Sequence, residues 1–200
     1  MAKQVNIIIA GVGGQGVILM SELLGNAAVK DKLSVRGSEV LGMAVRGGSV
    51  SSNIRIGDGI YGPLTPTGKG DVLVGMEPAE TLRNISYLSP SGLVILNKEK
   101  TVPFTVALGQ SSYPSLEVIM ERLNAASGGV VALEATQLAR EAGSHLSANV
   151  VMLGALFGTG KLQIKLETVK KEIAARFAAK VVPLNLKAFD LGYQACQQAL

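Results

Sequence analysis

The chain has 200 residues, with 19 Lys and Arg against 15 Asp and Glu, a formal net charge of +4, 48% hydrophobic and 17% charged residues, and one cysteine. That length supports one large domain with a sizeable core, and the lone Cys196 excludes an internal disulfide. The basic excess is small and spread out, and with no Trp and 4% aromatics a stacking platform for single-stranded nucleic acid is poorly supplied.

Met1-Ala2-Lys3-Gln4 is basic, but the apolar run behind it breaks at Gly11, too short for a signal core or a membrane span. The expectation is a cytoplasmic chain with no membrane segment. High apolar content with few charges points to surface buried against other subunits.

Val5 to Ala10 reads as an apolar strand running into the turn Gly11-Val12-Gly13-Gly14-Gln15-Gly16. Val17, Met20, Leu24 and Ala27 then fall at helical spacing, giving a helix from Gly16 to near Lys30. Glycines permit a sharp turn, and a helix N-terminus offers unpaired N–H groups, so this turn is a candidate anion cradle with Gln15 as an added side-chain contact. The plain alternative is that the glycines only let the helix cross close over the strand. Leu33 to Arg36 reads as a second strand, laid parallel to the first by a right-handed crossover. Where a dinucleotide fold places an acid for the ribose, the chain has Arg36-Gly37-Ser38-Glu39, which weakens that reading. Ser38 to Ser49 reads as a short helix broken by Gly47 and Gly48. Ser49 to Ile56 is an alternating strand, with a hairpin turn at Gly57-Asp58-Gly59 and a return strand starting at Ile60-Tyr61.

From Gly70 the pattern predicts a strand Asp71 to Gly75, a helix from Pro78 to near Leu88, and a strand Gly92 to Asn97. A polar-punctuated connection over 101–112 leads to a helix from Pro114 to near Ala126, a strand Gly129 to Leu133 and a helix Glu134 to Ala142. Ser147-Ala148-Asn149 reads as a capping cluster for an almost wholly apolar helix, Val150 to Phe157, expected at the centre or at an interface. Leu166, Val169, Ile173, Ala174 and Phe177 form the stripe of a further helix, and the last helix starts near Asn185. No linker divides the chain, so one domain over 1–200 is expected.

Candidate chemistry is sparse. Gly57-Asp58-Gly59 imitates the start of a thiamine-diphosphate motif, but no Asn pair follows and a turn explains it. Gly158-Thr159-Gly160-Lys161 is half a phosphate loop without a preceding strand and reads as a helix C-terminus. His145, the only histidine, has no partner at metal-ligand spacing, and one cysteine is too few for an iron–sulfur cluster. No nucleophile is laid out beside a base.

Three segments occur in order: Gly11-Val12-Gly13-Gly14-Gln15-Gly16-Val17, then Gly42-Met43-Ala44-Val45-Arg46-Gly47-Gly48-Ser49-Val50, then Asn149-Val150-Val151-Met152-Leu153-Gly154. Together they resemble the gamma-type subunit of 2-oxoacid:ferredoxin oxidoreductases over nearly the whole chain. Met76-Glu77-Pro78-Ala79-Glu80-Thr81-Leu82 and the closing helices are most similar to the indolepyruvate branch of that family.

The resemblance implies an α/β fold, a three-layer Rossmann-like sandwich with a largely parallel, mixed sheet and a helical C-terminal part. It implies a complex that oxidatively decarboxylates a 2-oxoacid to an acyl-coenzyme A and passes two electrons to ferredoxin. Thiamine diphosphate and the iron–sulfur clusters would sit on partner subunits, with no cofactor firmly bound by this chain and no activity from it alone. In some relatives the domain lies close to coenzyme A.

The candidate site is therefore Gly11, Gly13, Gly14, Gln15 and Gly16 together with Arg46, Gly47, Gly48 and Ser49. Arg46 has three possible jobs: pairing with a carboxylate of its own domain, docking on the partner, or binding a coenzyme A phosphate. Two other classes stay open. One is an autonomous NAD(P)-dependent oxidoreductase; the other is RNA binding through Arg46-Gly47-Gly48, which a single tripeptide between ordered elements supports little. The oxoacid is not legible, because substrate contacts would lie mostly on the thiamine-bearing partner.

Overall fold

A computed structural model describes residues 4–44 and 46–200. Met1 to Lys3 of the basic N-terminus and Val45 of the expected short helix lie outside the described residues.

Six strands form one sheet: β1 (Val5–Val12), β2 (Val35–Leu41), β3 (Ser49–Ile56), β4 (Gly70–Gly75), β5 (Leu88–Asn97) and β6 (Gly129–Leu133), in the order β2-β3-β1-β4-β5-β6. β1, β4, β5 and β6 run parallel, whereas β3 is antiparallel to both β1 and β2. The sheet is mixed and largely parallel, as expected.

Alternation along β1 separates two cores. Ile7 and Ile9 face α1 (Val17–Lys30), α5 (Ala135–Ala142), α6 (Ala148–Gly158), α7 (Leu166–Arg176) and α8 (Val182–Ala199). Ile8 and Ala10 face α2 (Pro78–Arg83) and α4 (Leu116–Ala126). The period of two along a strand puts each set on its own side, which makes three layers. α6 is buried all round, and it crosses α8 closely: a Cβ on Gly154 would lie 2.0 Å from the Phe189 carbonyl oxygen, and one on Gly192 1.9 Å from that of Val151. Only glycine fits at either point.

Several expectations need correction. The second strand runs over Val35–Leu41, and β3 sits between it and β1, so the crossover strand keeps the direction of β1 without pairing with it. No helix occupies the described residues of 38–49; β2 and β3 form a hairpin through 42–48, because their alternating residues pair with each other. Gly57-Asp58-Gly59 is a turn with no return strand at Ile60-Tyr61. The chain after it lies against β3, where Asn53 Oδ1 accepts the Thr65 N–H at 3.2 Å and Arg55 Nη1 donates to the Gly62 carbonyl at 2.9 Å.

α2 ends at Arg83 rather than near Leu88, and β5 already begins at Leu88. A one-turn helix, α3 (Phe104–Ala107), interrupts the 101–112 connection, and α8 starts at Val182. Ser147 does not cap α6; its hydroxyl donates to Asn185 Oδ1 at 2.9 Å. Residues 158–160 do close a helix, with the Thr159 hydroxyl donating to the Leu156 carbonyl at 2.6 Å.

Candidate functional site

The carboxyl ends of β1, β4 and β5 open on one edge of the sheet, the usual place for a ligand in such folds. β1 carries through Gly11 to Val12. A Cβ on Gly11 would lie 2.8 Å from the Met76 Cβ and 2.7 Å from Gln15 Oε1, so glycine there lets β4 and the turn close up. Gly14 (φ 99°) and Gly16 (φ 80°) are left-handed, a conformation that side-chain-bearing residues rarely adopt. α1 then starts at Val17 with no side-chain cap and no acidic residue in its first turn. Its N-terminal N–H groups thus have no side-chain acceptor, and its positive dipole end points to the turn.

The structure joins the two candidate segments. Gly13 N–H donates to the Gly48 carbonyl at 2.8 Å, and Gly47 N–H donates back to the Gly13 carbonyl at 3.2 Å. The hairpin loop is thus tied to the glycine turn by its backbone. Ser49 extends the link, its hydroxyl donating to Glu80 Oε2 at 2.6 Å. Gln15 turns inward: Oε1 accepts the Val12 N–H at 2.9 Å, and Nε2 donates to the Met76 carbonyl and the Thr101 hydroxyl, each at 3.3 Å. Its amide braces the turn against the segments after β4 and β5. Arg46 is exposed and, among the described residues, makes no ion pair or side-chain hydrogen bond. Of the three jobs considered for it, internal pairing finds no carboxylate here.

A buried carboxylate pair lies behind this edge. Glu77 is 1% exposed, and its oxygens accept the Glu80 N–H at 2.9 Å, the Thr101 N–H at 3.3 Å and the Tyr113 hydroxyl. Burial, then the hydrogen bond and charge of Glu77, push the Tyr113 phenol well above its ordinary pKa. Glu80 accepts from Ser49 and pairs with Arg83. Sequence reasoning used Glu77 and Glu80 only as marks of resemblance; an acid directly before Pro78 with another three residues on is a helix-start signal that was available.

Two cavities flank the turn. A cleft of about 440 Å³ lies between α1 and the hairpin, lined by Gly13, Val17, Ile18, Leu41, Ala44 and Val50 among others. A smaller cavity of about 220 Å³ lies on the other side, where Gly14 and Gln15 meet Asn97, Thr136, His145 and Asn149. Open space beside Gly14, an uncapped helix N-terminus and the exposed Arg46 offer donors and positive charge to an anionic group. Thiamine diphosphate and an iron–sulfur cluster do not fit. Asn84, the nearest Asn after the Gly-Asp-Gly turn, donates its amide to the Glu80 carbonyl, and the lone Cys196 is buried, its thiol pushed up to about 11 by desolvation. No group of three metal-binding side chains occurs among the described residues, and no described helix is long and apolar enough to cross a membrane.

Comparison with known proteins agrees with this architecture. The chain is 44% identical to indolepyruvate oxidoreductase subunit IorB of Pyrococcus horikoshii over 99% of its own length and 98% of that protein. It is 42% identical to the subunit of the same name from Archaeoglobus fulgidus, over 95% and 94%. The gamma subunit of a keto/oxoacid ferredoxin oxidoreductase from Geobacter sulfurreducens shares the fold, with a TM-score of 0.70 at 24% identity, covering 98% of this chain and 99% of that one. The 2-oxoglutarate:ferredoxin oxidoreductase of Magnetococcus marinus, solved with 2-oxoglutarate, coenzyme A and succinyl-CoA, gives a TM-score of 0.76 at 23% identity, covering 99% of this chain and 32% of that one. The profile of the pyruvate ferredoxin/flavodoxin oxidoreductase family matches residues 6–195, and with that match the chain belongs to this family.

Proposed function

We propose that the chain is the gamma-type subunit of a 2-oxoacid:ferredoxin oxidoreductase, of the indolepyruvate branch. It supplies structure and a coenzyme A contact to a complex whose thiamine diphosphate and iron–sulfur clusters are held by a partner subunit. The end-to-end match to IorB proteins carries this reading. The donor set supports the division of labour, since one buried thiol offers nothing to a cluster. A cytoplasmic location fits a chain whose single thiol is unpaired.

The docking face in this reading is the carboxyl edge of the sheet. Exposed Ile18 and Leu41 lie on one side of the glycine turn and exposed Leu146 on the other, and the hairpin loop tied to the turn carries exposed Met43 and the free Arg46. Apolar side chains at such density mark surface that another chain covers. An autonomous NAD(P)-dependent enzyme is disfavoured: Glu39, the acid nearest the expected ribose position, accepts from Ser21 at 3.4 Å, and β3 fills the place beside β1 that a parallel second strand would take.

The test is co-expression of the chain with its partner subunit, followed by assay of indolepyruvate and other 2-oxoacids with coenzyme A and a viologen dye. The complex turns over and the chain alone does not. Dye reduction by the purified chain, supplied with thiamine diphosphate and coenzyme A, would overturn the reading. In the complex, Arg46→Ala weakens assembly or raises the apparent KM for coenzyme A, while the melting temperature of the lone chain stays nearly unchanged.

A further inference from the structure

β2 is open at its edge and on both faces. It ends the sheet, and its residues are exposed or half-exposed along its whole length, with Val40 54% and Leu41 59% exposed. Sheets seldom leave an edge in that state uncovered. The ladder to β3 fixes which backbone groups of β2 are engaged. Gly57 N–H donates to the Ser34 carbonyl at 2.9 Å and Gly42 N–H to the Ser49 carbonyl at 3.0 Å, so in this antiparallel register the even-numbered residues bond inward. The N–H and carbonyl groups of Val35, Gly37, Glu39 and Leu41 therefore point away from the sheet, and of these the Val35 carbonyl accepts from the neighbouring Arg36 at 3.0 Å.

The two faces of β2 differ in charge. Toward α1, Val35, Gly37 and Glu39 border a groove of about 470 Å³, with Ile18, Ser21 and Glu22 across it. Glu39 accepts there from Ser21 at 3.4 Å and makes no ion pair among the described residues, whereas Glu22 already has Arg176 at 3.3 Å. On the opposite face Arg36 stands directly across from Arg55 of β3, like charge against like charge, and it too makes no ion pair among the described residues. The edge thus lacks a cation on one face and an anion on the other. A second copy of β2 supplies neither. A two-fold axis that pairs the strand with itself keeps each face on its own side of the sheet, so Glu39 meets only odd-numbered residues of the copy and never its Arg36.

We propose that β2 receives a strand of the partner subunit, and that this strand carries a basic and an acidic residue three positions apart. The basic residue lies against Glu39 at the α1 groove and the acidic one against Arg36 and Arg55, because residues an odd number apart fall on opposite faces. Apolar residues of the same strand cover Val35 and Leu41 on the groove side. Leu41 also lines the cleft beside the glycine turn, so the added strand continues the docking face onto the sheet. Main-chain bonds supply the affinity and the two charges set the register. The inference rests on the reading of the chain as one subunit of a complex.

The test is hydrogen exchange read residue by residue, on the full chain alone and in complex with its partner subunit. In the lone chain the amides of Gly37, Glu39 and Leu41 should exchange fast while those of Arg36, Ser38 and Val40 are protected, and in the complex the first set should slow at least about tenfold. Glu39→Lys should lower affinity for the partner at least about tenfold and Glu39→Gln less, with the melting temperature of the lone chain nearly unchanged. An alternation of fast and slow amides that persists in an active complex overturns the inference and spares the proposed function. Equal affinity in wild type and Glu39→Lys overturns it as well. If Glu39→Lys does not fold, Glu39→Pro, which removes an outward N–H and keeps the inner ladder, takes its place, and undiminished affinity is the overturning result. Slow odd-numbered amides in the lone chain, with the mass of a dimer in ultracentrifugation, assign the edge to a second copy and overturn it too. Failure of the chain and the partner subunit to associate overturns both readings. A complex that protects the odd-numbered amides but oxidises no 2-oxoacid upholds the strand and removes the proposed function.

Discussion

β1, β4, β5 and β6 share a sheet with the hairpin of β2 and β3, yet the hairpin's outer strand is held in a different way from the parallel half. The parallel half lies between two helical layers, and Ile7, Ile8, Ile9, Val72, Leu73, Val74, Ile95 and Leu96 are fully buried. In the hairpin half, β3 still packs Val50, Ile54 and Ile56 into the core, but its outer strand β2 is exposed or half-exposed along its whole length and is held largely by its backbone ladder, with the hairpin tip tied down through Gly13, Gly47, Gly48 and Ser49. The inner strands are fixed by packing and the outer strand β2 by hydrogen bonds. That difference separates the part that stores stability from the part left free to meet another molecule.

Substitutions should expose the contrast, most sharply where helix meets helix. Gly192→Val drives a branched side chain into the Val151 backbone and should cost more than about 3 kcal/mol, lowering the melting temperature by about 10 °C or leaving the chain unfolded. Circular dichroism melts check this. Ile95→Ala in the parallel half should cost about 3 kcal/mol, while Val40→Ser on exposed β2 should stay within about 0.5 kcal/mol in the same denaturation series. Similar losses at the two sites would erase the distinction between the halves.

The same contrast decided what the sequence disclosed. Strands buried on both faces are short apolar runs, so β1, β4, β5 and β6 were readable, as was α6 with its unbroken apolar surface. The hairpin was not. Val40, Leu41, Met43 and Val45 spaced before two glycines imitate a short helix, whereas β2 is a strand because β3 pairs with it, and pairing leaves no local periodic mark. The glycine turn and the Arg-Gly-Gly-Ser segment are neighbours in the fold, but the bonds between them are backbone bonds, silent in side-chain identity. Glu77 and Tyr113 lie 36 residues apart, and Asn149 meets Gly16 only in the folded chain. Such meanings belong to topology, which spacing along the chain does not encode.

Smaller effects sharpen the boundary between the halves. Ser49→Ala removes the bond that anchors the hairpin tip to α2; it should cost about 1 kcal/mol and speed amide exchange at Gly13 and Gly47, leaving exchange in β4 and β5 unchanged. The least effect is expected at Asp31, whose carboxylate accepts the Lys165 N–H at 2.6 Å and the Thr168 hydroxyl at 2.7 Å, at the start of α7. Desolvation works to raise its pKa, but those two hydrogen bonds and the Lys165 charge together outweigh it and hold the carboxyl below its ordinary value. A carboxyl depressed in the folded state stabilises above its unfolded pKa and loses that contribution as pH falls through the folded one. The stability difference between wild type and Asp31→Asn should therefore be present at neutral pH and shrink below about pH 4, as read from denaturant midpoints across a pH series.

The outer edge of β2 has a consequence for the cell that makes this chain. Seven residues of strand end the sheet there, with Arg36 and Glu39 as the only charges along them. An edge so lightly guarded is a template on which another strand can grow, and the readiest supply of strands is freshly translated copies of the same chain. Balanced synthesis with whatever shields that edge is then a condition of solubility, and overproduction of this chain by itself should be met by inclusion bodies or proteolysis before any loss of fold.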